Sequence, residues 1–197
     1  MSENFKLREG QPEDAPFIGE TVTGALGIEL CKNLANGEEN ISKVIKLFTD
    51  LAKTEMAQYS YKNTILAINN SGEPIGAIIS YDGNTLKERR KYFISKANEV
   101  LDWNVTIEEA DNWESETNPE EFYIDSLYVI PEFRNQGVAT SLIKAVLEKN
   151  RYYGKPFGLL VEPDNVKAYQ LYTELGFKED GINNFFDTPM IHLIYGK

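Results

Sequence analysis

Tyr123-Ile-Asp-Ser-Leu-Tyr-Val-Ile-Pro-Glu-Phe-Arg-Asn-Gln-Gly-Val-Ala-Thr140 is the stretch on which the reading of this chain turns. Phe122 to Ile130 is rich in β-branched and aromatic residues and predicts a strand, which Pro131 stops because it has no N–H to donate. From Gly137 to Lys149 the apolar residues Val138, Leu142, Ala145 and Val146 recur at helical spacing. A strand therefore passes through a short polar loop into a helix. The free N–H groups of Asn135, Gln136, Gly137, Val138, Ala139 and Thr140, at the positive end of the helix dipole, make an anion site. Gly137 and Ala139 are small enough for a ligand to approach the backbone, and Arg134 adds a charge-assisted contact. On its own the segment reads more readily as a merely solvated helix start. It lacks the spacing of a nucleotide P-loop.

Working outward, Phe5 to Arg8 predicts a strand, and Asp14 can cap a helix through Ala25 with Ile18, Val22 and Ala25 on one side. Asn40 or Ser42 can cap a second helix carrying Ile41, Val44, Ile45, Phe48, Leu51 and Ala52. Thr64–Ile68 and Ile75–Ser80, separated by the turn Asn69-Asn-Ser-Gly-Glu73, read as a hairpin. Downstream of the deciding stretch, Phe157–Val161 is a short buried strand. Ala168, Leu171, Tyr172 and Leu175 stripe a helix closed by Gly176. Asn184–Asp187 and Met190–Tyr195 read as strands broken at Thr188-Pro189. The order β-α-α-β-β-(insertion)-β-α-β-α-β-β is mixed α/β, and its strand–helix–strand unit permits one parallel pair.

The chain has 197 residues and a formal charge of −11. Between Lys96 and Arg134 there is no base but eleven acids; without them, twenty acids face twenty bases. One acidic stretch carries the whole excess, which argues against a nucleic-acid surface and suits a cationic partner. A single cysteine, Cys31, excludes a disulfide framework and multi-Cys zinc. A single histidine, His192, excludes His-pair metal ligation, so no metal is expected. No apolar run approaches a membrane span, and MSENFKLREGQPEDA has no signal-peptide pattern. A cytoplasmic protein is expected, as one domain over residues 1–197 with an insertion at 82–118, too short for its own core.

Val129-x-Pro-x-Phe-Arg134-x-x-Gly137-x-Ala139, followed by Asn165-x-x-Ala168-x-x-Leu171-Tyr172-x-x-x-Gly176-Phe177, resembles the paired acetyl-CoA motifs of the GNAT superfamily of N-acetyltransferases. Ala139 stands where a second glycine is commoner. The resemblance implies a mostly antiparallel sheet with a splayed parallel pair, flanked by helices, and acetyl-CoA as cosubstrate. It implies that the main chain of Leu127, Tyr128 and Val129 meets the pantetheine. The pyrophosphate would lie on Arg134 to Thr140, with Asn165 touching the cofactor. Tyr172, which its stripe position also suits as a core residue, is implied to act as general acid at the thioester sulfur. In polyamine and aminoglycoside members an acidic residue matches Asp125, on a strand face read here as shared with Tyr123, Leu127 and Val129.

Only roughly one alkylammonium in 10³ is neutral at pH 7, so a proton must be removed. Asp125 can be that base or an ammonium-binding anion; Glu121 and Glu162 are weaker candidates, and His192 reads as structural. Trp103, Trp113 and the acids of the insertion read either as a cation cage over the acceptor or as a solvated surface. The expected activity is direct acetyl transfer in a ternary complex to a small primary amine, Cys31 lying outside both motifs. A peptide amino group, a silent acyl-CoA-binding module and an adaptor role for the insertion remain alternatives, and a homodimer is left open.

Overall fold

Asn69 turns the chain on itself, its Oδ1 accepting from the N–H groups of Ser71 and Glu73 at 2.9 Å each. This closes the hairpin of β2 (Thr64–Asn69) and β3 (Pro74–Asp82). A computed structural model, describing residues 4–185 and 188–196, builds a seven-stranded sheet around it. The other strands are β1 (Phe5–Glu9), β4 (Phe122–Val129), β5 (Phe157–Val161), β6 (Lys178–Phe185) and β7 (Thr188–Tyr195), in the order β1-β2-β3-β4-β5-β7-β6. Every neighbouring pair is antiparallel except β4 and β5.

Helices cover both faces. α1 (Ala15–Ala35), α2 (Ile41–Ala52) and α3 (Leu86–Leu101) bury Ile18, Val22, Val44, Phe48, Phe93 and Ile94 in one cluster. Beyond α4 (Ile107–Asp111), α5 (Val138–Asn150) and α6 (Val166–Glu174) cover the other face. There Leu142, Ile143 and Val146 join Ile78, Ile124, Leu159 and Leu193. Burial of such side chains at about 1.5–3 kcal/mol each is the main force holding the layers.

Three sequence expectations need correction. α1 does not stop at Ala25, which is exposed, but runs to Ala35 through a kink at Gly27 (φ 77°). The kink re-aims the last turns so that Cys31, Leu34 and Ala35 are buried. Asp14 does not cap α1 with its side chain; Arg8 holds its carboxylate at 2.6 and 2.7 Å. The expected break at Thr188-Pro189 is part of β7, and β6 begins earlier, at Lys178. Pro189 pairs with Asn184 beyond Ile191, where β5 ends, so its missing N–H breaks no ladder to β5. Positions 186 and 187 of the expected strand lie outside the described residues.

The segment between β3 and β4, read above as an insertion, is largely helical and docks α3 on α2. Trp103 meets Phe93 and Trp113 edge-on, at ring separations of 5.9 and 6.4 Å, and its indole N–H donates to the Leu34 carbonyl at 3.3 Å. Several of its acids are engaged: Glu99 with Lys96, Asp102 with Lys43, Glu116 with Arg90, and Glu109 in a capping box with Thr106. Glu108, Asp111, Glu114 and Glu120 are exposed. Among the described residues no helix is long and apolar enough to cross a membrane.

Candidate active site

The parallel pair opens as it runs. β4 and β5 pair only at Phe122–Phe157, Tyr123–Gly158 and Ile124–Leu159, after which β4 continues along β3 alone. In an antiparallel ladder, alternate residues turn their main-chain groups toward or away from the partner strand. Ile130 donates to Ile75, so Val129 and Leu127, opposite Gly76 and Ile78, face away from β3 and into the opening. Tyr128, opposite Ala77, turns its main chain to β3, which corrects its expected place in the opening. Its ring instead packs where Gly24 of α1 leaves room for it, with the Arg134 guanidinium 5.7 Å from its centroid.

β4 leads through Ile130 into the loop. Asn135 (φ 59°) and Gly137 (φ 82°) are left-handed, and a Cβ on Gly137 would meet nothing within 4 Å. The N–H groups of Asn135 to Thr140 make no hydrogen bond among the described residues, and the loop is exposed. Six unspent donors at the start of a thirteen-residue helix fit a pyrophosphate. Arg134 bends back, its Nε–H donating to the Val129 carbonyl at 2.9 Å. That bond fixes the angle between strand and loop and leaves the two terminal nitrogens available. Asn165 spends its Oδ1 capping α6, accepting from Ala168 N–H at 3.2 Å, so only its amide nitrogen remains for a ligand.

Asp125 sits on a β-bulge. Ser126 pairs with Ile79 and Ile124 with Ser80, so Asp125 is the extra residue on β4. The bulge breaks the alternation assumed from sequence. Tyr123 packs with Tyr81 on the α1 side, whereas Leu127 and Val129 join the α5 side with Ile124. Asp125 does not share their face. Its Oδ2 accepts from the Tyr81 hydroxyl at 2.6 Å, and its Oδ1 accepts from Ser126 Oγ–H at 2.8 Å. Burial pushes its pKa up to about 6 against the pull of the Tyr81 bond, with Glu116 adding to the rise and Ser126 opposing it. A carboxylate in that range is far better matched to proton removal near neutrality than an ordinary aspartate.

Tyr172 reaches the opening from the other face. Its ring is buried in the cluster that holds Val129 and Val161, 5.7 Å from Phe177. Burial alone lifts its pKa to about 12. Its hydroxyl makes no hydrogen bond among the described residues. Of the weaker candidates, Glu121 is buried against His192 (Oε2 to Nε2, 2.9 Å), and Glu162 is exposed. Cys31 is buried in α1, and burial pushes its thiol pKa up, away from nucleophilic use.

On the α1 side lies a cavity of about 680 Å³. Tyr59, Phe93, Trp103 and Trp113 wall it, together with Gln58 and Glu116. Asp125 itself does not line the cavity, but two lining residues, Tyr59 and Glu116, are within electrostatic reach of its carboxylate. Sequence reasoning missed Tyr81, Ser126, Gln58 and Tyr59. Only the β3 alternation hinted at Tyr81, since register across strands is not written in either strand alone.

The acetyltransferase (GNAT) family model matches residues 38–177. A thialysine N-epsilon-acetyltransferase of Mus musculus is 40% identical over 58 residues, which are 29% of this chain and 34% of that protein. An N-acetyltransferase from Staphylococcus aureus Mu50 superposes with a TM-score of 0.74 at 21% identity, covering 96% of this chain and 99% of that one. An aminoglycoside acetyltransferase in complex with coenzyme A superposes at 0.59 and 19% identity, covering 98% and 95%.

Proposed function

Because the chain belongs to the acetyltransferase (GNAT) family, we propose that it transfers an acetyl group from acetyl-CoA to a small primary amine. The observation that carries this reading is the opening between β4 and β5, with a poised carboxylate on one face and a protonated phenol on the other. Acetyl-CoA supplies an activated acetyl group as a thioester. The N–H groups from Asn135 to Thr140 and the free nitrogens of Arg134 hold its pyrophosphate. The main chain of Leu127 and Val129 lines the arm.

Asp125 takes the proton that the incoming ammonium must lose, directly or through one water. The Val129 N–H, turned into the opening, donates to the carbonyl oxygen as negative charge develops there. Tyr172 donates a hydrogen bond to the departing sulfur. With a phenol pKa of about 12 against ~8.5 for a thiol, full proton transfer is uphill by about 5 kcal/mol. Tyr172 therefore stabilises the thiolate as a donor and keeps its proton, a narrower role than general acid. The second proton, which the nitrogen loses as the amide forms, passes to the thiolate or to water, and CoA leaves as a thiol. Transfer is direct, since Cys31 is sealed in α1. The names of the mouse relative and the aminoglycoside enzyme both point to amines as acceptors.

The test is thiol release from acetyl-CoA across a panel of primary amines, with mass spectrometry of the products. Amine-dependent release and an acetylated amine are expected. Tight CoA binding with no release from any amine or peptide overturns the reading in favour of a silent binding module.

A further inference from the structure

The cavity on the α1 side, two of whose lining residues are within electrostatic reach of Asp125, has a chemistry of its own, and it is not that of an acidic cage. Six aromatic side chains line it: Phe48, Tyr59, Phe93, Trp103, Trp113 and Phe185. The charged groups within it, Arg90 and Glu116, are both buried and paired with each other. Glu114 also borders the cavity but is an exposed residue. The interior therefore offers a second ammonium no unpaired carboxylate, and a polyamine would bury its distal charges at a desolvation cost of several kcal/mol. About 680 Å³ falls in the usual range for a small-molecule site and holds a fused-ring body. One polar group on the wall has unspent capacity. Gln58 is 4% exposed, and its Oε1 accepts no hydrogen bond among the described residues. A buried acceptor left unpaired is unfavourable, which a donor on the ligand would offset.

We infer that the acceptor is a primary monoamine with an aromatic or similarly bulky apolar body that carries a hydroxyl or N–H donor. The amine points to Asp125, the body packs among Phe93, Trp103 and Trp113, and the donor meets Gln58. This rests on the acetyl-transfer reading and names the substrate class for it.

The chain has two tryptophans, and both line the cavity, so tryptophan fluorescence reports occupancy independently of turnover. The probes are phenethylamine and tyramine, against n-butylamine, lysine and spermidine. The ring-bearing amines are expected to show at least a tenfold higher kcat/KM, with saturable fluorescence changes at concentrations near their KM. Gln58→Leu should lower the preference for tyramine over phenethylamine about tenfold. Trp103→Phe, which keeps a ring, should leave the ranking of ring-bearing over straight-chain amines in place. Spermidine or lysine as the best acceptor, with no fluorescence response to the ring-bearing amines, overturns this inference and leaves acetyl transfer standing. Fluorescence saturation by those amines with no turnover of any amine overturns acetyl transfer instead, and with it the substrate assignment built on it.

Discussion

The Tyr81 hydroxyl donates to the Oδ2 of Asp125 at 2.6 Å, tying β3 to the bulged carboxylate of β4. This bond favours the ionised form and works against the burial that holds the pKa near 6. Removing it should raise the pKa further. Wild-type kcat/KM for the amine is expected to rise with pH through a limb near 6, as Asp125 ionises. Tyr81→Phe should move that limb upward by about 1 unit, with a smaller loss at pH 8 than at pH 6. An acidic limb that stays in place in Tyr81→Phe means another group is the base.

Asp125 also has a price in stability. Its folded pKa is raised above the ordinary 3.8, so its contribution is fully present below about 3.8 and is lost as pH rises through about 6. Asp125→Asn removes that loss. At pH 7.5 the variant should be more stable than wild type by up to about 3 kcal/mol, less whatever the Tyr81 and Ser126 bonds return. Below pH 4 the difference should vanish. Urea denaturation at both pH values checks this, and a variant less stable at pH 7.5 would show that the carboxylate is not held against its own charge.

The strand–loop–helix around Gly137, the hairpin and the helix stripes were legible because their signals are local: periodicity, turn residues and proline stops. The opening between β4 and β5 was legible only through resemblance, because no spacing in Phe122–Ile130 states where pairing with Phe157–Val161 ends. The face of Asp125 was not legible. A bulge inserts one residue against a partner strand forty-odd positions away, and alternation read from β4 alone then assigns Leu127 and Val129 to the wrong side. The acidic stretch was visible as a charge count, but its partners were not. Lys43, far upstream, holds Asp102, and α3's own Arg90 holds Glu116.

Tyr172 is expected to matter to turnover and little to the fold. Its ring packs in the core while its hydroxyl has no partner among the described residues, so Tyr172→Phe keeps the packing. We expect kcat to fall about 10- to 100-fold, with CoA affinity and thermal midpoint nearly unchanged. Because its pKa is near 12, Tyr172 should add no falling limb to the pH profile below pH 10. Unchanged kcat in Tyr172→Phe would remove it from the chemistry.

Gly158 of β5 is where the sheet makes room for a buried hydrogen-bonded pair. A Cβ placed on it would lie 1.5 Å from Oε2 of Glu121, which accepts from or pairs with His192 Nε2 at 2.9 Å. Backbone and carboxylate cannot both stay, and Glu121 cannot simply swing to water because its side chain is only 3% exposed. Gly158→Ala should therefore cost about 2–4 kcal/mol, measured by chemical denaturation. His192→Ala should cost a similar amount by leaving the Glu121 carboxylate alone in the sheet. The two losses should not add: once Glu121 has lost its partner and moved, the alanine at position 158 meets less resistance. A double mutant equal to the sum of the singles would show that the glycine answers to something other than this pair.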